Sequence, residues 1–231
     1  LARSRGLGDV YKRQRLMLDR TIKEINKYSN KNIKIAFDEW NTYVEATPPY
    51  FIENYNIADA IYAASLLNAC INRGDIITNT GIYHLINVMG NYRIEKKKIW
   101  KTPTTLVLEL YTKFHKGKIL KSVVNSSNFV SFKLGKQPEY KNNKLIDSAI
   151  TMNGKHMCMS VVNKSSSEKI LLKVPYLDRI AENYCIEGSN KVDLNTYENT
   201  SRVKIKKNSL KTSKGFLILP PHSISVVLFS I

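Results

Sequence analysis

Asp38 and Glu39 are adjacent carboxylates, followed by the indole of Trp40 and the amide of Asn41. They stand directly behind an apolar run, Ile33-Lys-Ile-Ala-Phe37, which reads as a strand held in a core. The four polar positions after it need water, partners or a ligand. In a parallel β/α protein that junction is the C-terminal end of a strand, where active sites are built. The alternative is a strand that simply ends in a polar turn, with Asp38 as the turn former.

The elements around this junction follow a helix-then-strand order. From Arg15 to Tyr28, Leu16, Leu18, Ile22, Ile25 and Tyr28 recur at helical spacing. Asn30 to Asn32 end that helix and lead into the Ile33 strand. Behind the strand lies a loop with Pro48, Pro49 and the aromatics Tyr43, Tyr50, Phe51 and Tyr55. Asn56 is an N-cap candidate, with Asp59 three residues on suiting the positive helix end. The helix it opens, Ala58 to Ile71, is apolar on most faces and is expected to be buried on both sides. Ile76-Ile77 reads as a short strand and Thr78 to Asn91 as a loop. Thr102-Pro103 sets up another helix, with Thr as cap and Pro at the first position. Leu106, Leu110 and Phe114 give it an apolar stripe.

After Gly117 the character changes. Short β-branched runs at Met157 to Val162, Ile170 to Val174, Val203 to Ile205 and Ile224 to Ile231 alternate with turn residues. That spacing reads as an antiparallel sandwich. The expected architecture is therefore α/β plus all-β, with a boundary near Lys116.

Composition excludes several classes. In 231 residues with 43% hydrophobic content, packed cores are expected and disorder is not. No apolar stretch approaches the ~18 residues a membrane helix needs, so no membrane partner is expected. Cys70, Cys158 and Cys185 are an odd, widely spaced set without metal-ligand spacing, which suits a reduced, cytoplasmic protein. His115, His156 and His222 have no ligand partners at metal spacing and read as structural. No metal and no cofactor is implied. The net charge of +17 raises the question of nucleic acid, but the lysines are spread along the chain. Clusters occur only at Lys96 to Lys98 and Lys204 to Lys207, and the second alternates with Val203 and Ile205 like a half-exposed strand. A basic surface without nucleic-acid binding is the expectation. The Asn-x-Ser matches at Asn125, Asn163 and Asn199 read as chance in an Asn-rich chain.

The stretch Ile33 to Asn41 resembles the nucleophile motif of the family 51 α-L-arabinofuranosidases. These are retaining glycoside hydrolases with a (β/α)8 barrel followed by a β-sandwich. The resemblance continues in order. Asn56 to Ile61 looks like the helix after strand seven, and Ile86-Asn87-Val88 like the strand-eight loop. Val161-Val162-Asn163 resembles a sandwich strand; Asn195 to Asn199 and Leu219 to Val226 resemble the closing strands. The resemblance implies residues 15–116 as the end of the barrel, with strands seven and eight and their helices. It implies residues 117–231 as a jelly-roll-like sandwich. Leu1 to Gln14 is similar to a translated sequencing-adapter read-through and lacks the roughly 7–15-residue apolar core of a signal peptide. Those residues are set aside as non-structural.

By the same resemblance Glu39 is the nucleophile. Trp40 and Asn41 are candidate hydrogen-bond donors to it and candidate substrate contacts, and Asp38 is a supporting carboxylate behind them. His84 falls where the family commonly holds a sugar-binding Gln, and Tyr43 where an aromatic lines the site. The family's acid/base Glu follows Asn in a Gly-Asn-Glu motif, and no Asn-Glu pair occurs in this sequence. The expectation is a piece of a longer enzyme that does not turn over substrate alone. The implied partner is an arabinose-containing oligo- or polysaccharide, and the complete protein is expected to be a homo-oligomer, as family members often are. Two other readings stay open at this point. One is a related retaining barrel glycosidase, an endoglucanase or xylosidase. The other is a non-catalytic carbohydrate-binding sandwich, which needs neither the buried Ala58 to Ile71 helix nor a carboxylate at a strand end.

Overall fold

The computed structural model describes residues 16–29, 31–42, 54–131, 139–190 and 192–231. Leu1 to Gln14 and Tyr43 lie outside the described residues. The first helix, α1, spans residues 16–28 as its apolar spacing requires. Leu18 is its buried anchor, while Leu16 and Tyr28 are exposed.

Next come β1 (Ile35–Trp40), α2 (Ile57–Ile71) and β2 (Ile77–Ile82), with β1 and β2 paired in parallel. Among the described residues no other named strands pair in parallel, so this is one β-α-β unit rather than a closed barrel. The start of α2 is fixed by a reciprocal cap. Asn56 Oδ1 accepts from the backbone N–H groups of Ala58 (2.8 Å) and Asp59 (3.3 Å). Asp59 Oδ2 in turn accepts from Asn56 N at 2.9 Å, which satisfies donors the helix itself leaves open. Every residue from Ile57 to Cys70 is buried, as the unbroken apolar text requires.

Strand β2 corrects the expectation of a loop beginning at Thr78. Thr78-Asn-Thr-Gly81 has no apolar alternation, and its extended backbone is imposed by pairing with β1. Gly81 is required there: a Cβ would come within 2.9 Å of the Asp38 carbonyl oxygen.

A hairpin follows, β3 (Tyr92–Glu95) with β4 (Lys98–Lys101), turning through Lys96 at φ +51°. Helix α3 (Pro103–Phe114) starts as its sequence predicts, with Thr102 Oγ1 accepting from Thr105 N and Pro103 in the first turn.

The remainder is β-structure: β5 (Lys118–Leu120), β6 (Asn128–Ser131), β7 (Tyr140–Lys144), β8 (Ile146–Asn153), β9 (His156–Asn163), β10 (Ile170–Lys173), β11 (Ile180–Glu187), β12 (Ile205–Lys207), β13 (Lys211–Ser213), β14 (Phe216–Leu219) and β15 (Ser223–Ser230). A six-stranded antiparallel sheet has the order β12-β11-β15-β9-β8-β5, and β10-β14-β13 forms a smaller sheet. The large sheet is covered on both faces. Along β9, Met157, Met159 and Val161 enter the core shared with Leu217 and Leu219 of the small sheet. The alternate residues Cys158 and Val162 enter the core shared with α2 and α3. Period-two geometry thus splits one apolar run between two cores. Ser160, on the helix side, donates to Asn68 Oδ1 at 2.5 Å, and Tyr111 OH donates to the same oxygen at 2.8 Å. One buried amide therefore ties α2, α3 and β9 together.

Two further expectations are corrected. Asn195 to Asn199 is a loop rather than a closing strand, because the Asn195 side chain bonds the backbone of other segments. The Val203 to Ile205 run becomes β12 only from Ile205, with Val203 buried as its anchor. Lys206 and Lys207 of β12 pair with Glu187 (2.5 Å) and Glu182 (2.7 Å) of β11.

All three cysteines are free and buried, and burial raises their pKa values to about 11 for Cys70 and about 12 for Cys158 and Cys185. Thiols so protected stay protonated and unreactive. Asn163 is fully buried and donates to Glu168 O and Pro220 O, so its Asn-x-Ser match is a structural turn.

His115 ends α3 against the Tyr111 ring (5.0 Å between centroids), with Nδ1 3.1 Å from Thr151 Oγ1. Burial lowers its pKa to about 4. The sign follows: as pH falls below ~6.5 the unfolded chain takes up this proton and the folded chain does not. Stability is therefore full above ~6.5 and is lost progressively toward about 4. Thermal melts of His115→Gln should show a shallower decline across that window than the native protein. Equal slopes would contradict the assignment.

Candidate active site

Strand β1 changes step at its polar end. From Phe37 to Trp40 it advances three residues while β2 advances two, from Thr80 to Ile82. The extra residue makes a bulge-like irregularity, offset by an opposite step between Ile35 and Ala36; such irregularities re-aim side chains near sites. Asp38 and Glu39 fall within it, and both are exposed. Their carboxylates therefore stand at the C-terminal end of a parallel pair without entering the core.

Trp40 closes the bulge. It is buried, meets Tyr62 of α2 edge-on with centroids 6.5 Å apart, and donates its indole N–H to Thr80 Oγ1 at 2.6 Å. Asn41 donates its amide to the carbonyls of Tyr83 (2.5 Å) and Met89 (3.1 Å), and its Oδ1 accepts from Thr42 N at 2.9 Å. The expectation that these groups donate to Glu39 is therefore corrected. Both are committed to tying the end of β1 to β2 and its loop.

The loop after β2 presents His84. Tyr83 N donates to Trp40 O at 3.0 Å, and the Tyr83 and His84 rings meet at a tilt of 42° with centroids 3.7 Å apart. Because Trp40 pairs with Ile82, Glu39 and His84 share one end of the β1–β2 pair. The His84 carbonyl accepts from Asn91 Nδ2 at 2.8 Å and from Asn91 N at 3.3 Å. Asn87 Oδ1 accepts from Ile94 N at 2.8 Å, and Arg93 Nη1 donates to Val88 O at 3.1 Å. Asn87 and Val88 take φ +48° and +47°; for a β-branched valine that is a strained backbone, held only because the loop is bonded on both sides.

The structure thus brings Asp38, Glu39, Trp40, Asn41 and His84 to one end of the parallel pair, and Tyr43 lies outside the described residues. Thr80, Tyr83 and Asn91, which hold the site together, carried no signal in the sequence. Among the described residues no three His, Cys, Asp or Glu side chains converge to hold a metal ion. No described helix is long and apolar enough to cross a membrane.

Known proteins resemble the whole arrangement. The family described as "Alpha-L-arabinofuranosidase C-terminal domain" matches residues 38–223, beginning at the first carboxylate of the bulge. An "Intracellular exo-alpha-(1->5)-L-arabinofuranosidase" of Streptomyces lividans is 24% identical over 193 residues, which is 76% of this chain and 28% of that protein. The α-L-arabinofuranosidase of Thermotoga maritima, solved as an arabinose complex, superposes with a TM-score of 0.80 at 22% identity. That match covers 97% of this chain and 49% of that one. The thermostable family 51 enzyme of Thermotoga petrophila gives a TM-score of 0.81 at 24% identity, over 95% of this chain and 49% of that one. The chain spans about half the length of these structures, and they establish the fold it shares with them. The family match over most of the sequence establishes more: this chain belongs to the α-L-arabinofuranosidase C-terminal domain family.

Proposed function

We propose that the chain is the nucleophile-bearing part of a retaining, exo-acting α-L-arabinofuranosidase. Its substrate would be the terminal non-reducing α-L-arabinofuranosyl residue of arabinan or arabinoxylan oligosaccharides. The observation that carries this reading is the exposed Glu39 on the bulge at the end of a parallel strand, facing the same end as His84. A carboxylate there is free to meet a ligand, and the motif resemblance of Ile33 to Asn41 assigns it the nucleophile's role. The named activity of the Streptomyces lividans relative supports the choice of sugar.

In this reading β1, α2, β2 and α3 are the last two strand–helix units of a (β/α)8 barrel. The division from the sandwich, residues 117–231, lies near Lys116. Glu39 attacks the anomeric carbon and forms a glycosyl ester as the glycosidic oxygen leaves. A second carboxyl group, ~5–5.5 Å away across the bond, protonates that oxygen and then activates water to cleave the ester. No Asn-Glu pair in these residues matches that second group, so the chain alone would not complete the cycle. His84 hydrogen-bonds a sugar hydroxyl, Asp38 supports the Glu39 carboxylate, and Tyr43 lines the pocket. Trp40 and Asn41 fix the geometry that the sugar meets. In this reading the complete protein works in the cytoplasm, which the name of the Streptomyces lividans relative supports, and is able to assemble as a homo-oligomer.

The test is to express the complete open reading frame and follow arabino-oligosaccharide hydrolysis by proton NMR. The first product should be free arabinofuranose with its anomeric configuration retained. An inverted first product would remove the double-displacement mechanism, and release of xylose or glucose instead would point to the related barrel glycosidases.

A further inference from the structure

The loop of Asn195 to Asn199 is distant in sequence from the hairpin beside the site, 95 residues from Trp100 and 99 from Lys98 at its bonds, yet it bonds that hairpin. Asn195 is buried, and its amide Nδ2 donates to Lys101 O and to Val203 O, both at 2.9 Å. Its Oδ1 accepts from Val203 N at 2.7 Å, and its own carbonyl accepts the indole N–H of Trp100 at 3.1 Å. Lys98 reinforces the contact, with Nζ 2.9 Å from Tyr197 O and 4.3 Å from the centre of the Tyr197 ring.

The bonds continue toward the site. The carbonyl of Lys101 and the N–H of Thr102 belong to one peptide group. Its oxygen accepts from Asn195, and its N–H donates to Asn91 O at 2.9 Å. Thr105 Oγ1 donates to the same Asn91 carbonyl. Asn91 then donates its side chain and its backbone N–H to His84 O. Beside this path Tyr92, which pairs with Lys101, donates to Leu85 O and accepts from Asn87 N, both at 2.9 Å. Each of these bonds fixes a residue that the next one uses, so an anchor at Asn195 restrains the segment as far as His84.

We infer that Asn195 and Trp100 are positioning residues that hold the loop from His84 to Asn91 at the end of β2 through the β3–β4 hairpin. The role assigned to His84 rests on the proposed function; the strap itself does not. The strained Val88 backbone is bonded locally by Arg93, and the strap adds a restraint from outside the loop.

Hydrogen exchange read by mass spectrometry on the protein from its complete reading frame tests the strap. Trp100→Phe removes the indole N–H together with part of the ring that meets Tyr197, and Asn195→Asp removes the donor to the Lys101 and Val203 carbonyls while keeping an acceptor for Val203 N. Peptides covering 84–92 should exchange roughly five- to tenfold faster in each variant, with β9 and β15 unchanged. KM for an aryl arabinofuranoside should rise more than kcat falls. Acceleration confined to residues 195–203, or spread evenly over the six-stranded sheet, would overturn the inference and leave only a packing role. If Asn195→Asp does not fold, Trp100→Phe decides alone. A native protein that hydrolyses no arabinofuranoside would sink the proposed function, and the exchange result would still decide the strap.

Discussion

Replacing Glu39 by Ala in the complete enzyme is expected to lower kcat by roughly three to five powers of ten. The argument is geometric before it is chemical. Glu39 is exposed on the bulge of β1, so its removal breaks no packing, and the melting temperature should stay within ~2 °C of the native value. A large loss of rate at constant stability would mark a residue that acts on substrate. Azide supplied to the alanine variant would attack the anomeric carbon directly, in one displacement, and give a glycosyl azide of inverted configuration. Asp38→Asn, one residue away and equally exposed, should cost far less because it forms no bond to the sugar. Steady-state kinetics and a thermal melt on the two variants check all of this. A near-native kcat for Glu39→Ala would remove it as nucleophile.

Phe229→Ala is expected to have the largest effect on stability, a loss of about 3–5 kcal/mol. Phe229 sits on β15, paired with Met157 of β9 and Ile180 of β11, and it is 1% exposed. It fills the apolar layer between the six-stranded sheet and the small sheet, beside Leu217 and Leu219. Truncation leaves a cavity in a layer pinned by two sheets that cannot close on it. For a chain of this size the melting temperature should fall by on the order of 10 °C. Leu171→Ala is the matched control, since Leu171 lies on β10 of the small sheet but is 60% exposed. It should change stability by no more than ~0.5 kcal/mol. A Phe229 loss under ~1 kcal/mol would mean that the two sheets do not share a packed core.

What could be read from the sequence followed from burial. β9 and β15 are legible as Met157 to Val162 and Ile224 to Ile231 because the large sheet is covered on both faces, leaving no polar alternation. The starts of α2 and α3 are legible because Asn56, Asp59, Thr102 and Pro103 act locally on their own helices. β2 and the polar β7 were not legible: Thr78 to Gly81 and Tyr140 to Lys144 are extended by pairing partners, not by their own side chains. The site shows the same division. Glu39 announces itself as a charge at the end of an apolar run. The commitments of Trp40 to Thr80 and of Asn41 to Tyr83 and Met89 depend on a parallel register and a bulge across some forty residues. No spacing in the text encodes that register. Asn195 is the extreme case, legible as part of a resemblance but with a loop's role rather than a strand's.

The central claim is that Glu39 forms a covalent bond to arabinose. The most direct test is to incubate the complete enzyme with a 2-fluoro-α-L-arabinofuranosyl donor carrying an activated leaving group, digest it, and map the labelled peptide by mass spectrometry. The account predicts one fluoroarabinosyl adduct, on the peptide containing Ile35 to Trp40 and localised to Glu39. A label on another carboxylate, with Glu39 unmodified, would contradict it.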